Sequence, residues 1–469
     1  MTDDIQFGNR MSDADALMWN MERDPYLRST ITVVWVLDCA PDRARLDEKI
    51  ERATRHIPRL RQRVAATQLS IAPPRWEADP DFDLGFHVRT MRAPGDGSLR
   101  TLFDVAQPIA AQSFDRARPL WELVIVEGLA EGRAGLVLKL HHSLSDGVGL
   151  VQMTTSMVEG YRTPDPTRTK RPMPPVPEMH AMSQRERVLD ALRWEEQRVV
   201  DRTRRSLGLL GRGVRGLVTN PLGLARDAAD TVRSVGRLLQ PVSEPLSPIM
   251  RGRSLRIRFE AFTASLSRAK AAAKRADGRL NDAFVAGIAG GLARYHRAHG
   301  MPATSLRMSM PINVRAGEKA HVAGNQFVPA RFAVPLDVDD PLERMRIMRD
   351  LVGGQRAEPA LGLLDDLSGA LNRLPTALST PLFGSMMKGV DFVTSNVPGP
   401  RTDVYLSGAR IEHIFGFGPL AGAAANVTLF SYRDDLGIAV NTDRAAVRDP
   451  ERFVACLEEG VEEVLATAD

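Results

Sequence analysis

Cysteine is almost absent: the 469 residues contain two, Cys39 and Cys456, far apart in the chain. Neither sits in a Cys-x-x-Cys pair or a metal-ligand spacing, which excludes a disulfide scaffold and a zinc finger and leaves no metal to expect. A reducing compartment is the simple reading. Long apolar runs are missing as well. No stretch reaches the roughly 18–20 apolar residues that a membrane-spanning helix needs. The opening Met1-Thr2-Asp3-Asp4-Ile5-Gln6 has neither the basic start nor the apolar core of a secretory signal. The expected location is therefore cytoplasmic, with any lipid met from its surface. Excess charge is missing too: a formal net charge of +4 gives no reason to expect a nucleic-acid partner.

What is present is the composition of a soluble globular protein, 43% hydrophobic and 26% charged. The length is too great for one ordinary domain. Three segments separate by pattern. The first, residues 1–161, mixes helices and strands. Ser12 stands as an N-cap before acids at Asp13 and Asp15. Thr30 to Leu37 is β-branched and apolar, as a strand requires. Leu46, Ile50 and Ala53 repeat at helical spacing within Arg43–His56. Trp121–Val126 and Gly135–His142 read as strands, and Gly147–Val158 as a helix. The third segment, residues 257–469, predicts helices over Ser265–Ala276, Asn281–His296 and Asp449–Ala466. Its predicted strands are Ser305–Val314, Gln326–Pro335, Gly389–Ser395 and Gly437–Thr442. No internal repeat is evident.

The middle segment, residues 162–256, differs. It opens on Arg171-Pro172-Met173-Pro174-Pro175-Val176-Pro177, a linker composition, and its basic residues from Ala181 to Leu255 are all arginine. Leu207, Leu210, Val214 and Leu217 fall on one helical face, with Arg205, Arg212 and Arg215 on the other. Two readings stand: a helix lying in a membrane surface, or an interdomain helix packing its apolar stripe on the core.

The chemistry concentrates in His141-His142-Ser143-Leu144-Ser145-Asp146-Gly147. Side chains alternate along a strand, so His142 shares a face with Leu136, Leu138 and Leu140, and His141 shares the other with Val137 and Lys139. Adjacent histidines on opposite faces do not ligate one metal. A histidine at the inner end of a strand suits a general base at neutral pH. Asp146 can hold the following loop, with Arg61 and Arg315 as candidate partners, and Gly147 permits a sharp turn.

This His-His-x-x-x-Asp-Gly stretch resembles the active-site motif of the coenzyme A-dependent acyltransferase superfamily, which includes chloramphenicol acetyltransferase. Within it, the chain is similar to the bacterial wax ester synthase/diacylglycerol acyltransferase family. The likeness is carried by Arg10-Met11-Ser12 with Asp15, Arg75-Trp76-Glu77, Phe82-Asp83, His87-Val88 and Phe114-Asp115. It continues through Arg118-Pro119-Leu120-Trp121-Glu122, Asn281-Asp282, Pro311-Ile312-Asn313-Val314-Arg315, Gly324-Asn325 and Ser395-Asn396-Val397-Pro398-Gly399-Pro400. The Asp-Phe-Gly-Trp-Gly stretch of plant relatives is absent, and so are the carrier and adenylation regions that adjoin condensation domains.

The resemblance implies an α/β (α+β) fold of two chloramphenicol acetyltransferase-like mixed-sheet domains with a tunnel between them. It implies His142 as the base that deprotonates an alcohol for attack on an acyl-CoA thioester, supported by His141 and Asp146, with no acyl-enzyme. The expected partners are long-chain acyl-CoA, diacylglycerol or a long-chain alcohol, and a membrane surface or lipid droplet. No cofactor is implied, acyl-CoA being a substrate. Pro119, Leu120 and Trp121 read either as a strand entry with a core tryptophan or as tunnel lining. Asn281 reads as an N-cap beside Asp282, or as a donor to the developing oxyanion.

Overall fold

The computed structural model describes residues 8–65, 72–144, 154–164, 172–177, 181–200, 244–313, 327–356, 380, 384 and 387–468. The order opens with α1 (Asp13–Met21), β1 (Thr30–Leu37), α2 (Arg43–His56), β2 (Gln62–Ala65), β3 (Arg75–Ala78), α3 (Leu84–His87) and β4 (Val88–Arg92). It continues with α4 (Leu99–Ala111), β5 (Trp121–Glu127) and β6 (Ala134–His141). Residues 184–200 form α5. Then come β7 (Ile257–Ser265), α6 (Leu266–Arg275), α7 (Leu280–Ala298), β8 (Ser305–Asn313), β9 (Phe327–Pro335) and α8 (Pro341–Arg356). The chain ends with β10 (Phe392–Pro398), β11 (Tyr405–Leu406), β12 (Ala409–Phe417), β13 (Ala425–Tyr432), β14 (Asp435–Asp443) and α9 (Pro450–Leu465).

These elements build two mixed six-stranded sheets, ordered β11-β12-β1-β6-β5-β4 and β7-β14-β13-β10-β8-β9. The first sheet is not made by the first segment alone. β12 comes from the far end of the chain and pairs antiparallel with β1, Val34 opposite Phe415. It also reaches the second sheet, where Gly437 of β14 leaves no room for a side chain: a Cβ there would stand 2.3 Å from the Ile414 carbonyl oxygen. The middle segment is likewise divided. Ser247 and Met250 are fully buried in the C-terminal half. α5 is fastened to the N-terminal half by Arg187 on Glu77 at 2.7 and 2.9 Å, and by Arg75 on Asp190 at 2.8 Å.

β6 has apolar or small residues at nearly every position and is buried on both faces. Leu136, Leu138 and Leu140 pack into a cluster with Trp19, Ile50, Trp76 and Trp121. Val137 faces the other way, into a cluster where the halves meet: Val34, Phe103 and Val124 against Phe259, Phe415 and Phe417. The rings of Phe259 and Phe417 stack at 3.9 Å, and Arg100 of α4 reaches Glu260 of β7 at 2.7 Å. The two sheets are thus joined over apolar surface beside the strand that carries the histidines. In the C-terminal half, α7 is buried around most of its length and meets α9 at glycines, so that a Cβ on Gly460 would lie 2.3 Å from the Gly291 nitrogen.

Candidate active site

β6 ends at His141. The alternation that would put His142 beside Leu140 stops one residue early, because His142 opens a 3-10 turn, His142–Leu144. The switch of backbone conformation, not strand periodicity, sets the direction of His142. In the register of β1 and β6, Thr30 stands opposite His141 and Thr32 opposite Lys139. These residues therefore share the face that looks toward the C-terminal half. Thr30 and Thr32 line a small cavity of about 70 Å³ with Tyr26, Arg253, Phe417 and Asn441, so the halves approach one another next to the histidine pair.

The two histidines have different surroundings. His141 is fully buried, and its N–H donates to the Leu120 carbonyl at 3.0 Å. The backbone N–H of Ser143 donates to its Nδ1 at 3.1 Å, and Ser143 Oγ lies 2.6 Å from the same atom. A backbone N–H can only donate, so Nδ1 holds the lone pair and the proton sits on Nε2. That Nε2 lies 3.1 Å from Oε1 of Glu22. Trp19 meets the ring edge-on at 5.5 Å, with Phe114 at 6.2 Å. His141 is thus a sealed, oriented group whose lone pair is already engaged. His142 is half-buried, and its backbone N–H donates to the Ser29 carbonyl at 2.8 Å.

Glu22 ties these pieces together. Its Oε1 also accepts the Ser29 N–H at 2.6 Å. Burial pushes its carboxyl up, but the His141 ring, the Ser29 N–H and Arg116 outweigh burial and hold it below its ordinary value. Lys139, one strand position behind His141 on the same face, is fully buried. It reaches Glu122 at 3.1 Å and lies over the Phe114 ring at 4.3 Å. Burial lowers its pKa, and Glu122 opposes that shift.

Sequence reasoning missed Glu22, Ser29 and the Lys139–Glu122 pair. A lysine inside Leu136–Leu140 was a usable signal, since a buried ammonium demands a partner. Nothing local marks Glu22.

Asp146, Gly147 and Arg315 lie outside the described residues, as do Arg205, Arg212 and Arg215. Arg61, read above as a candidate partner for Asp146, bonds Glu51 at 2.6 Å and Thr54 at 3.0 Å and lies over the Phe82 ring. Trp121 takes the core role. It is 4% exposed, its indole N–H donates to the Leu60 carbonyl at 2.8 Å, and His87 stacks on it at 4.5 Å. Pro119 and Leu120 lead into β5, and the Leu120 carbonyl accepts the backbone N–H of His141.

Asn281 is not the cap of α7. Arg279 holds that position, and Asp282 accepts its N–H at 2.7 Å, so the capping carboxylate is one residue further on. The freed Asn281 amide lies 3.4 Å from Met310 Sδ. With Pro311, Asn396, Pro398 and Gly399 it lines a cavity of about 420 Å³. Three motifs scattered through the sequence meet there.

Among the described residues no group of His, Cys, Asp and Glu is placed to hold a metal ion, and no helix is long and apolar enough to cross a membrane.

The family model described as the wax ester synthase/diacylglycerol acyltransferase catalytic domain matches residues 11–284, and that of the WS/DGAT C-terminal domain matches residues 323–464. A Mycobacterium tuberculosis protein provisionally named diacylglycerol O-acyltransferase is 38% identical over 467 residues, 99% of this chain and 93% of its own. A second from that organism, with the same provisional name, is 32% identical over 482 residues, covering 98% and 97% of the two chains. The solved wax ester synthase/diacylglycerol acyltransferase of Marinobacter aquaeolei VT8 superimposes with a TM-score of 0.63 at 21% identity, over 98% of this chain and 99% of that one. The first condensation domain of the calcium-dependent antibiotic synthetase gives 0.60 at 16% identity, over 98% and 96%. These last two show a shared fold.

Proposed function

From a chain that belongs to the wax ester synthase/diacylglycerol acyltransferase family, and so is an acyltransferase, we propose a diacylglycerol O-acyltransferase that uses long-chain acyl-CoA. Wax esters from long-chain alcohols are its second product. His142 takes the proton of the acceptor hydroxyl as the oxygen attacks the thioester carbonyl. The tetrahedral intermediate collapses, the C–S bond breaks, and the CoA thiolate leaves with the proton from His142. The acyl group passes directly to the alcohol, with no covalent enzyme intermediate and no cofactor.

One observation carries the choice of histidine. The lone pair of His141 is engaged by Ser143 and its ring lies edge-on to Trp19 and Phe114, whereas His142 is half-buried in the turn that ends β6. The reaction belongs at a lipid surface, the inner face of the plasma membrane or a lipid droplet. Its acceptor and product are lipid-soluble, and α5 exposes Leu189 and Leu192 at 52% and 49%.

The test is release of free CoA from palmitoyl-CoA, with and without diacylglycerol or hexadecanol, by the parent and by two variants. His142→Ala is expected to lose about 10²–10⁴ in rate while melting as the parent does. His141→Ala is expected to melt earlier, because it strips Glu22 of its partner. Binding of both substrates without ester formation would mark a non-catalytic lipid-binding protein instead. Near-normal turnover by folded His142→Ala would assign the base elsewhere.

A further inference from the structure

α5 sits on its half of the molecule with its faces reversed. A surface helix ordinarily turns its apolar stripe to the core and its charges to water. Here the charged face looks inward. Arg187 bonds the buried carboxylate of Glu77 at 2.7 and 2.9 Å. Asp190 takes both Arg75, at 2.8 Å, and Arg10, and Arg198 holds Asp13. Trp194 lies under the guanidinium groups of Arg10 and Arg198, and Ala191 is fully buried. The sockets are supplied by the Arg10-Met11-Ser12 and Arg75-Trp76-Glu77 stretches, which acyl transfer by His142 does not use. The apolar stripe is left outside: Leu189 and Leu192 are 52% and 49% exposed.

The outward stripe has an order of its own. Arg185, Leu189, Leu192 and Glu196 follow one another at spacings of four, three and four residues, which puts them on one face of the helix within about 60°. The spacing is the same read from either end, while the charge changes sign between the ends. Two copies laid antiparallel about the midpoint of Leu189 and Leu192 therefore match. Leu189 of each copy faces Leu192 of the other, Arg185 faces Glu196, and the two-fold axis makes each contact twice. Parallel pairing would set Arg185 on Arg185 and Glu196 on Glu196, which like charges oppose. Arg185 and Glu196 are exposed, and neither pairs with an opposite charge among the described residues.

We propose that α5 is a contact between two copies of this chain, paired antiparallel through Arg185, Leu189, Leu192 and Glu196. The ion pairs beneath hold the helix on its own body, so the stripe is presented ready-formed. One helix pair is a small interface, so the dimer is reversible. The pairing goes beyond acyl transfer and does not depend on it. A lipid surface would need the same leucines, so the two occupants compete. The reversal of charge along the stripe favours the second copy, because an anionic bilayer attracts Arg185 and repels Glu196.

The experiment is sedimentation equilibrium of the full chain in lipid-free buffer, over about 1–100 µM, the range of transient pairs. The variants are Arg185→Glu, Glu196→Arg, both exchanges together, and Leu189→Asp plus Leu192→Asp, with melting temperatures to confirm that each folds. The parent should pass from monomer to dimer. Each single exchange sets like charges together at both ends and should weaken the Kd about tenfold. The two exchanges together should restore it, because the attraction returns with its sign swapped. The Asp pair should stay monomeric. Disulfide formation reads the register: a mixture of Leu189→Cys and Leu192→Cys chains should cross-link faster than either alone, against the background of the parent's own Cys39 and Cys456. A parent that stays monomeric throughout overturns the proposal, and loss of pelleting on phosphatidylglycerol vesicles by the Asp pair would then give the stripe to lipid. A dimer that the Asp pair leaves intact overturns it too, as does a double exchange that restores nothing, or faster cross-linking within either cysteine variant alone. None of these readouts uses acyl-CoA, so the pairing and the acyl-transfer reading fail separately.

Discussion

Oε1 of Glu22 lies 3.1 Å from Nε2 of His141 and 2.6 Å from the Ser29 nitrogen, and the Ser29 carbonyl accepts the His142 N–H. One carboxylate at the end of α1 therefore orients the first histidine directly and holds the backbone of the second through one peptide unit. Glu22 is a positioning residue. Its folded-state pKa is depressed, so its stabilising effect is complete above the ordinary carboxyl value of about 4.3 and is lost as pH falls through the lower folded value. Glu22→Gln should melt earlier than the parent at pH 7, by the equivalent of about 1–3 kcal/mol. That gap should close on acidification below about pH 4.3. A gap that stays constant from pH 7 to the acid limit would deny Glu22 this role. Gln still accepts the Ser29 N–H, so Glu22→Gln should retain more turnover than Glu22→Ala.

The Lys139–Glu122 pair should behave as a buried ion pair. Lys139 has no exposed side-chain surface. Glu122→Ala strands its ammonium and should cost about 3–5 kcal/mol. Removing both charges, with Lys139→Met added, should restore most of that loss, because no charge then remains buried. Denaturant melts of the single and double variants measure it. A double variant as unstable as Glu122→Ala alone would show that Glu122 acts by something other than pairing Lys139.

Gly460→Ala should destabilise the C-terminal half. The added methyl would fall 2.3 Å from the Gly291 nitrogen and 2.4 Å from the Gly287 carbonyl oxygen, both backbone atoms of α7 that no rotamer change can move. Overpacking of this kind costs about 1–3 kcal/mol or more. A melting temperature equal to the parent's would mean that α7 and α9 separate readily.

Lipid-surface docking predicts an effect of the arginines at 205, 212 and 215, which lie outside the described residues. Each basic residue near an anionic membrane contributes about 1 kcal/mol. Replacing all three with Glu should weaken sedimentation with anionic vesicles. Turnover of vesicle-borne diacylglycerol should slow more than turnover of a short soluble alcohol. Unchanged sedimentation with equal activity on both acceptors would assign this stretch to packing within the protein.

Much of the fold was legible because short-range physics sets it. Thr30–Leu37 forms a strand over the expected bounds because β-branched, apolar side chains fit a pleated interior. Arg43–His56 forms a helix because its apolar positions recur on one face and Asp42 caps it. Ser12 caps α1 as read. β2, β3, β4, β7, β11, β12 and β13 were not predicted. β12, Ala-Arg-Ile-Glu-His-Ile-Phe-Gly-Phe, carries glycine and charge that weaken its pattern, and its partner β1 lies at the other end of the chain.

The sequence by itself determined the kind of residues available: two histidines at a strand end, a cysteine-poor chain, and the motif set that marks the family. Tertiary structure alone decided what each one does. The strand stops at His141, so His142 takes its direction from a turn. Ser143, two residues on, occupies the lone pair of His141, and Glu22, from another element, holds its Nε2. The Asn281 amide faces a cavity rather than capping a helix, because Arg279 begins α7 and Asp282 caps it. Periodicity reports which side of an element a residue occupies. Partners brought together from distant parts of the chain fix a proton on one ring nitrogen, and no local pattern encodes that meeting.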